Sequence, residues 1–228
     1  MKVLILGDGL FGNELHNQTE WDFISRKKDK IDINYFNEWS DKLNSYDVIV
    51  NAIAYTKTYE DNYEDNWNAN VKFLNELINF CNVFDKKLVH ISTDYLYAGS
   101  VTNAKETDVP VHVNSWYGYT KLVGDAIVQL NSKNFLLCRL SHKPYPFPYE
   151  YAWYNVKTNC DYVNTICELV IELIHSNAAG LYNVGTEHKT IYDLAKKTNE
   201  SIKTSKANDY VPNDTTMNIT KLQTKLTS

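Results

Sequence analysis

Tyr117 and Lys121 are the residues of this 228-residue chain whose types and spacing most directly indicate chemistry. On a helix, side chains four positions apart lie on one face, one turn from each other. A tyrosine hydroxyl has an ordinary pKa of about 10, and an ammonium group within about 4–6 Å lowers that pKa by favouring the phenolate. Thr93, some two dozen residues earlier, supplies a hydroxyl that would hold a substrate oxygen beside the phenol. The three residues predict a site that moves a proton to or from a carbonyl or alcohol oxygen.

A second pair with the same spacing, Tyr192 and Lys196, shows how little the spacing proves by itself. The chain has 17 tyrosines and is rich in lysine, so one or two such pairs are expected by chance. No hydroxyl-bearing strand end precedes the second pair, which lies in an ordinary amphipathic helix start. We therefore predict that Tyr192 is structural and that the first pair carries the chemistry.

Three glycines, Gly7, Gly9 and Gly12, directly follow the first apolar run and open a helical pattern. This spacing permits a tight turn and lets the backbone approach a pyrophosphate, while the N-terminus of the helix favours its negative charge. The loop predicts a dinucleotide site formed by these glycines together with Leu10 and Phe11. A glycine-rich turn without a ligand is the alternative.

The end of the second apolar run carries Ser25 and Arg26, where a site for NAD places Asp or Glu against the ribose hydroxyls. A hydroxyl and a guanidinium suit a 2′-phosphate, which arginine engages with two parallel hydrogen bonds. We predict NADPH as the cofactor, with NADH as the alternative if residues 26–30 are only a solvated basic loop. The third run ends in small residues that would let a flat cofactor pass close to the backbone, and three of them are assigned to the cofactor site: Asn51, Ala52 and Ala54.

Composition argues against several classes of function. The formal net charge of −5 and the pI near 5.7 oppose nucleic-acid or membrane-surface binding through basic charge. No apolar run approaches the ~18 residues of a membrane span, and Met1–Leu6 is typical of a first buried strand rather than of a signal peptide. The four cysteines lack metal-ligand spacing, so we expect buried, reduced thiols, no metal site and a cytoplasmic protein.

Short apolar runs alternate with helical patterns, which predicts an α/β fold with a doubly wound parallel sheet. The runs expected to be strands are 2–7, 21–25, 48–54, 87–93, 134–140 and 181–185. The proline- and tyrosine-rich stretch Ser141–Tyr154 excludes a helix and predicts a surface loop. We expect residues 1–140 to form an NAD(P)-binding Rossmann domain and residues 141–228 a small C-terminal substrate-binding lobe packed on it.

With these motifs, the chain resembles the extended short-chain dehydrogenase/reductases, and among them the dTDP-4-dehydrorhamnose reductases and related nucleotide-sugar 4-reductases. The matching segments are residues 7–12, 50–54, 90–97, 106–110 and 115–125. The spacing from Thr93 to Tyr117 also fits that family. These landmarks span roughly the first 140 residues, and a short match at residues 180–185 extends into the final third.

The resemblance implies a role in deoxysugar (L-rhamnose) biosynthesis, in which NADPH reduces the 4-keto group of a nucleotide-diphospho-4-keto-6-deoxy sugar. Tyr117 would protonate the developing alkoxide. Lys121 would lower the pKa of Tyr117 and bind the ribose hydroxyls of the nicotinamide. Thr93 would hydrogen-bond the carbonyl oxygen and polarise it.

The same resemblance assigns Asp94 and Tyr95 to the substrate, with strand-end packing as the alternative. Arg139 ends a predicted strand, where it would meet a diphosphate or form a salt bridge. Members of the family carry a longer substrate-binding segment after this strand, and Ser141–Tyr154 replaces it here. Much of the sugar-nucleotide pocket would therefore be reduced or rebuilt, and the sequence specifies neither the nucleotide nor the sugar. It also leaves a homodimer open.

Two other functions are compatible with these motifs. A combined 3,5-epimerase/4-reductase acting on a UDP-4-keto-6-deoxyglucose needs a further acid/base pair, for which Cys138 and His142 are the nearby candidates. A core position and a loop position are their respective alternatives. A non-catalytic, nucleotide-binding regulatory subunit is favoured by the shortened segment, whereas the intact set of Thr93, Tyr117 and Lys121 opposes it.

Overall fold

In a computed structural model of the chain, the structure describes residues 1–60, 62–108, 110 and 115–227. The α-helices are α1 (Leu10–Thr19), α2 (Arg26–Asp29), α3 (Tyr63–Trp67), α4 (Phe73–Val83), α5 (Trp116–Asn131), α6 (Val163–His175), α7 (Ile191–Lys196) and α8 (Thr220–Leu226). The strands are β1 (Val3–Leu6), β2 (Asp22–Ile24), β3 (Val48–Asn51), β4 (Lys87–Ile91), β5 (Phe135–Arg139), β6 (His142–Lys143), β7 (Tyr151–Trp153), β8 (Lys157–Thr158), β9 (Asp161–Tyr162), β10 (Gly180–Asn183), β11 (Lys189–Thr190) and β12 (Lys203–Ser205). Val109, part of the segment 106–110 in the resemblance, lies outside the described residues.

The central sheet has the strand order β10-β5-β4-β3-β1-β2 in the described part of the chain. The pairs β1–β2, β1–β3 and β3–β4 are parallel. β1 and β3 are buried along their whole length, as expected for strands covered by helices on both faces. The predicted α/β fold with a mostly parallel sheet is thus confirmed.

The order of the strands places a topological switch point between β1 and β3. The chain leaves β1 to form β2 on one side and returns to form β3 on the other side. Ligands of open α/β sheets bind in the crevice beyond the carboxyl ends of such neighbouring strands. The loop Gly7–Gly12 and the segment Asn51–Ala54 both begin at this edge.

By compactness, the chain divides into two units. The first comprises Met1–Ser92, Ser115–Leu137 and Asn177–Gly180, and the second comprises Thr93–Asn114, Cys138–Ser176 and Leu181–Ser228. The second unit therefore contains residues 93–114 as well as most of the predicted lobe. The assignment of residues 141–228 to substrate binding stays a prediction.

The second unit has its own apolar core and short strands. β6 pairs with β9, and β7 pairs with β12, so the stretch predicted as a loop contributes two short strands. Extended backbone is what proline-rich sequence favours, which is why the stretch lacks a helix but still pairs. The core cluster comprises Phe147, Ala152, Val156, Cys160, Tyr162, Ile191, Leu194, Ala195, Ile202, Ala207 and Val211.

Among the described helices, none is long and apolar enough to cross a bilayer.

The turn after β1 depends on glycine at two positions. Gly7 has a φ of +104°, a left-handed backbone conformation that residues with a Cβ rarely adopt. At Gly12, an added Cβ would lie 2.0 Å from the carbonyl oxygen of Gly7. Gly9 has a φ of −68°, and an added Cβ there would have no heavy atom within 4 Å. The first and third glycines therefore build the turn, and the second leaves open space.

We expect Gly12→Ala to lower the free energy of unfolding by about 1–3 kcal/mol, because the new methyl group would collide with backbone that cannot move aside cheaply. Gly9→Ala is the matched control in the same loop, and its cost should be about 0.5 kcal/mol. Urea unfolding of both variants measures the difference. Equal loss of stability in the two variants would contradict this account of the turn.

Candidate active site

The start of α1 presents uncapped backbone N–H groups at the switch point. Gly9 is the N-cap residue, no side chain caps the first turn, and no acidic residue lies in it. The N-terminus of this ten-residue helix carries partial positive charge suited to a phosphate. Leu10 is exposed and Phe11 is buried, so Phe11 offers its backbone rather than its side chain. The loop therefore fits the pyrophosphate of a dinucleotide.

The segment after β3 passes close to this loop. An added Cβ on Gly7 would lie 3.3 Å from the carbonyl oxygen of Ala52, and the N–H of Ala52 donates to Leu6 O at 3.0 Å. Ala52 and Ala54 are half-buried. Small residues at this point leave the backbone edge accessible to a flat ligand, in keeping with their assignment.

After the end of β2, Arg26 is exposed, whereas Ser25 is buried and hydrogen-bonded. Ser25 is buried, its hydroxyl oxygen accepts from Lys28 N at 3.1 Å, and its N–H donates to Asp29 Oδ2 at 2.9 Å. Arg26 is the exposed first residue of α2. The guanidinium is thus accessible to an anion, whereas the Ser25 hydroxyl already accepts a hydrogen bond as the N-cap of α2. Asp29, which the sequence had not singled out, holds this turn together.

Helix α5 is held against the loop after β3 by Asn70. Its side-chain amide donates to Thr120 Oγ1 at 3.0 Å and accepts from Tyr55 N at 3.0 Å. Asn70 lies in a π-helical turn, Asn68–Lys72, between α3 and α4, and such turns are frequent at functional sites. An added Cβ on Gly124 would lie 2.7 Å from Asn70 O, so only glycine allows this close approach.

Tyr117 and Lys121 lie on α5, and both are buried. Lys121 Nζ donates to the carbonyl oxygen of Ile91, the last residue of β4, at 2.8 Å. One turn further along, Asp125 accepts a hydrogen bond from Ser92 Oγ. These two contacts fix the helix to the carboxyl end of β4 and place the predicted pair in the same unit as the glycine loop.

Burial lowers the pKa of Lys121 to about 8, although the nearby carboxylate of Asp125 acts in the opposite direction. The ordinary pKa of a lysine is about 10.4. Lys121 is therefore a cation that can lose its proton near neutral pH, rather than a permanently charged group. Such shifted values are common where a group takes part in proton transfer.

His90 is a neighbour of Lys121 that the sequence analysis did not single out. Its Nε2 lies 3.4 Å from Lys121 Nζ, and its Nδ1 lies 3.2 Å from Asn51 Nδ2. Burial, followed by the charge of Lys121, lowers the pKa of His90 well below its usual value, so the imidazole is neutral. A polar residue inside the apolar run Leu88–Ile91 was the available signal. Asn51, assigned to the cofactor, uses its side chain internally.

Thr93 lies two residues beyond β4 and belongs to the second unit. Its hydroxyl oxygen accepts from Tyr95 N at 3.2 Å and begins the 3₁₀ helix Asp94–Tyr97. No described residue accepts the hydroxyl hydrogen of Thr93, which is therefore available to a ligand. Tyr95 is half-buried.

Asp94 connects distant segments of the second unit. Its Oδ2 accepts from Thr158 Oγ1 at 3.1 Å and from Thr215 Oγ1 at 2.8 Å, while its N–H donates to Leu140 O. Its Oδ1 is buried without a hydrogen-bond partner among the described residues. Burial raises the pKa of Asp94 to about 6, against the two threonine hydrogen bonds and the charge of Lys143. One oxygen packs structurally, and the other is left for a donor.

Arg139, at the end of β5, is buried in a polar cluster of the second unit. It donates to the Tyr97 hydroxyl at 2.6 Å, and this hydroxyl donates to Asn183 Oδ1 at 2.9 Å. The two candidates for an added acid/base pair also lie in this unit. Cys138 is buried, and burial together with Lys143 lowers the pKa of the half-buried His142 to about 4.

Tyr192 in the second unit and the cysteines match simple structural roles. Tyr192 packs against the apolar core, behind a capping box formed by Thr190 and Asp193 at the start of α7. All four cysteines are buried thiols. In the described part of the chain, no group of three or more His, Cys, Asp or Glu side chains could hold a metal ion.

The predicted residues thus fall into two sets. The first unit contains Gly7, Gly9, Leu10, Phe11, Gly12, Ser25, Arg26, Asn51, Ala52, Ala54, Tyr117 and Lys121, and the second contains Thr93, Asp94, Tyr95 and Arg139. Each set is assembled from segments that lie far apart in sequence. The catalytic, cofactor and substrate roles of these residues stay predictions.

Known proteins are similar to this chain in sequence and in fold. A family model described as the RmlD substrate binding domain matches residues 1–142. A dTDP-4-dehydrorhamnose reductase from Mycolicibacterium smegmatis (strain ATCC 700084 / mc(2)155) is 31% identical over 132 residues, which cover 54% of this chain and 36% of that relative. The chain therefore matches only about a third of the length of the curated relative.

Two solved structures extend the likeness of fold through nearly the whole chain. A hypothetical dTDP-4-dehydrorhamnose reductase from Sulfolobus tokodaii superposes with a TM-score of 0.82 at 22% identity, covering 98% of this chain and 94% of that one. A dTDP-4-dehydrorhamnose reductase from Bacillus anthracis str. Ames in complex with NADP gives a TM-score of 0.80 at 21% identity, covering 98% and 93%. At these identities the likeness concerns the fold alone.

We expect the free energy of unfolding of the wild type to fall as the pH rises because Asp94 loses its proton, and we expect Asp94→Asn to abolish that fall. The folded-state pKa of about 6 exceeds the ordinary value of about 3.9, so the folded protein holds this proton more tightly than the unfolded chain. The resulting stabilisation is complete below about pH 4 and is lost as the pH rises to about 6, at a cost on the order of 2–3 kcal/mol.

Urea unfolding of the wild type and of Asp94→Asn between pH 4 and pH 7 measures this effect. The free energy of unfolding should fall more steeply with rising pH in the wild type. Asp209→Asn, which removes an almost fully exposed carboxylate of the same unit, serves as the control and should follow the wild type. Parallel curves for the wild type and Asp94→Asn would refute the raised pKa.

Proposed function

Because the chain belongs to the RmlD substrate binding domain family, we propose that it is an NADPH-dependent reductase of a nucleotide-diphospho-4-keto-6-deoxy sugar, as in L-rhamnose biosynthesis. The observation that carries the proposal is the buried Lys121, which lies on the same face of α5 as Tyr117 and donates a hydrogen bond to Ile91 O. The glycine loop that fits a dinucleotide belongs to the same unit.

The residues of this chain have distinct roles in the proposed reaction. NADPH, when bound, supplies the hydride. Tyr117 donates its hydroxyl proton to the oxygen of the substrate carbonyl as that oxygen becomes an alkoxide. The Lys121 ammonium stabilises the resulting phenolate, and the donor hydrogen of Thr93 polarises the carbonyl oxygen.

The sugar nucleotide is proposed to be bound by the second unit. Asp94 has a buried oxygen without a partner among the described residues, which suits a sugar hydroxyl. Tyr95 is half-buried beside it in sequence. Arg139 is assigned to the diphosphate, although its contact with Tyr97 also stabilises the unit. A dTDP-linked sugar is favoured by the named activity of the relatives. A cytoplasmic location and a homodimer stay predictions.

Tyr117→Phe should abolish NADPH oxidation in the presence of dTDP-4-dehydrorhamnose, lowering kcat by at least about 10²-fold, the usual contribution of a positioned acid. NADPH binding should remain nearly intact, because the ring is preserved. Tyr119→Phe is the matched control, since it removes a hydroxyl from an exposed tyrosine of the same helix. Full activity of Tyr117→Phe would exclude Tyr117 as the acid.

The same assay distinguishes the proposed reductase from its alternatives. Tight NADPH binding without turnover on a panel of 4-keto-deoxy sugar nucleotides would favour the regulatory subunit. Turnover accompanied by deuterium incorporation at C3 and C5 in D₂O would favour the epimerase/reductase.

Arg26→Ala should weaken NADPH binding about 10- to 100-fold, the loss expected for a hydrogen-bonded guanidinium–phosphate pair, and should leave NADH binding unchanged. Lys27→Ala, which removes the neighbouring exposed cation of α2, provides the control for a general charge effect. Titrations of both cofactors by fluorescence give the affinities. Unaltered NADPH affinity in Arg26→Ala would exclude this residue from recognition of the 2′-phosphate.

A further inference from the structure

Three buried polar side chains contact one another in series, from the end of β3 through β4 to α5. Asn51, His90 and Lys121 are 0%, 1% and 2% exposed. Asn51 Nδ2 lies 3.2 Å from His90 Nδ1, and His90 Nε2 lies 3.4 Å from Lys121 Nζ. Polar groups buried this deeply are costly unless they are hydrogen-bonded, so the contacts among these three matter for their stability.

The orientation of the Asn51 amide determines which imidazole nitrogen carries the hydrogen. Asn51 Oδ1 accepts from the backbone N–H of Ile53 at 3.1 Å, so the amide nitrogen faces His90. An amide NH₂ only donates, which requires His90 Nδ1 to accept. A neutral imidazole that accepts at Nδ1 carries its hydrogen on Nε2. His90 therefore directs an N–H group at Lys121.

Lys121 cannot meet that N–H group equally well in its two protonation states. An ammonium has three donors and no acceptor, so it would face His90 with a hydrogen against a hydrogen. The neutral amine has a lone pair that accepts from Nε2–H, and it can still donate to Ile91 O at 2.8 Å. Lys121 therefore offers an acceptor to the Nε2–H group of His90 only when Lys121 is the neutral amine.

We propose that His90 is a positioning residue whose Nε2–H group, oriented by Asn51, favours the neutral amine of Lys121. Because the reaction uses the ammonium, this preference sets the upper pH limit of the activity. The consequence for catalysis rests on the proposed reductase function. The protonation of Lys121 in the free protein does not depend on that function.

The titratable and charged groups around Lys121 act in opposite directions. Asp125, one turn along α5, favours the ammonium, whereas burial opposes it. His90 on β4 contacts Lys121 Nζ, and its proposed Nε2–H group acts in the same direction as burial. Tyr117 lies one turn before Lys121 on the same helix. Burial is the main cause of the lowered pKa of both Lys121 and His90.

Two substitutions at His90 separate the directed N–H group from simple packing. His90→Gln can turn its amide oxygen towards Lys121 and so favours the ammonium. His90→Leu removes the donor without supplying an acceptor. Val128→Ala, a buried position two turns further along α5 and about 10 Å from Lys121 along the helix axis, is the control for a general loss of packing.

The first measurement uses the free protein labelled with ¹³Cε-lysine, in which the Lys121 signal is identified by its loss in Lys121→Met. Lys121 should titrate well below the exposed lysines. In His90→Gln its midpoint should rise by about one pH unit or more, with a smaller rise in His90→Leu and none in Val128→Ala. Long-range ¹⁵N spectra of His90 should show hydrogen on Nε2 and none on Nδ1.

The proposal is overturned if wild-type Lys121 titrates with the exposed lysines, if His90 carries its hydrogen on Nδ1, or if His90→Gln leaves the midpoint unchanged. The hydrogen position on His90 is measured on the wild type alone, so a variant that fails to fold does not block the test.

The second measurement is the alkaline limb of kcat/KM for the proposed reduction. It should move upwards in His90→Gln by the amount that the lysine midpoint moves. A shifted lysine midpoint in a protein without reductase activity would leave the role of His90 intact and refute the proposed function instead. A lysine midpoint that moves without any change in the alkaline limb would show that Lys121 does not set the limit.

Discussion

The hydrogen bond from Lys121 Nζ to Ile91 O is the contact on which the polar arrangement of the first unit depends. A buried cation is costly unless it is bound by hydrogen-bond acceptors. The carbonyl at the end of β4 supplies such an acceptor, and it does so at the carboxyl edge of the sheet, where ligands of this fold bind. Because Tyr117 precedes Lys121 by one turn, the same bond also determines where the phenol lies.

The surrounding polar residues make this placement rigid. Asn70 joins α5 to the loop after β3, and Gly124 lets the helix approach Asn70 closely. The Ser92–Asp125 hydrogen bond joins the helix to the end of β4. Buried polar groups stabilise a single arrangement when all are satisfied, and they destabilise it when one is not. The His90–Lys121 contact is where full satisfaction depends on protonation, which links the rigidity of the site to its chemistry.

In the second unit, residues with proposed roles in binding also stabilise the fold. Asp94 is hydrogen-bonded to Thr158 and Thr215, so the segment that starts at Thr93 depends on residues that lie 64 and 121 positions later in the chain. Arg139 is similarly joined to Tyr97 and, through it, to Asn183. Substitutions of these residues will therefore change stability as well as binding, and only separate measurements of the two can assign a role.

The sequence by itself determined the main strands of the sheet, the glycine turn and the helical spacing of Tyr117 and Lys121. Continuous apolar runs predicted β1, β3 and β4, because strands covered on both faces are apolar throughout. Glycine spacing predicted the turn at Gly7–Gly12, since local backbone conformation imposes that requirement. Helical spacing placed Tyr117 and Lys121 on one face. These properties are local, and a single stretch of chain carries them.

Only the tertiary structure decided which distant groups surround that pair. His90 and Asn70 look like isolated polar residues in apolar patterns, and nothing in their own segments indicates that they meet α5. The same holds for Asp94, whose partner Thr215 lies 121 residues later. The protonation of Lys121 depends on those neighbours, because burial and hydrogen-bond geometry, rather than residue type, determine which state is stable.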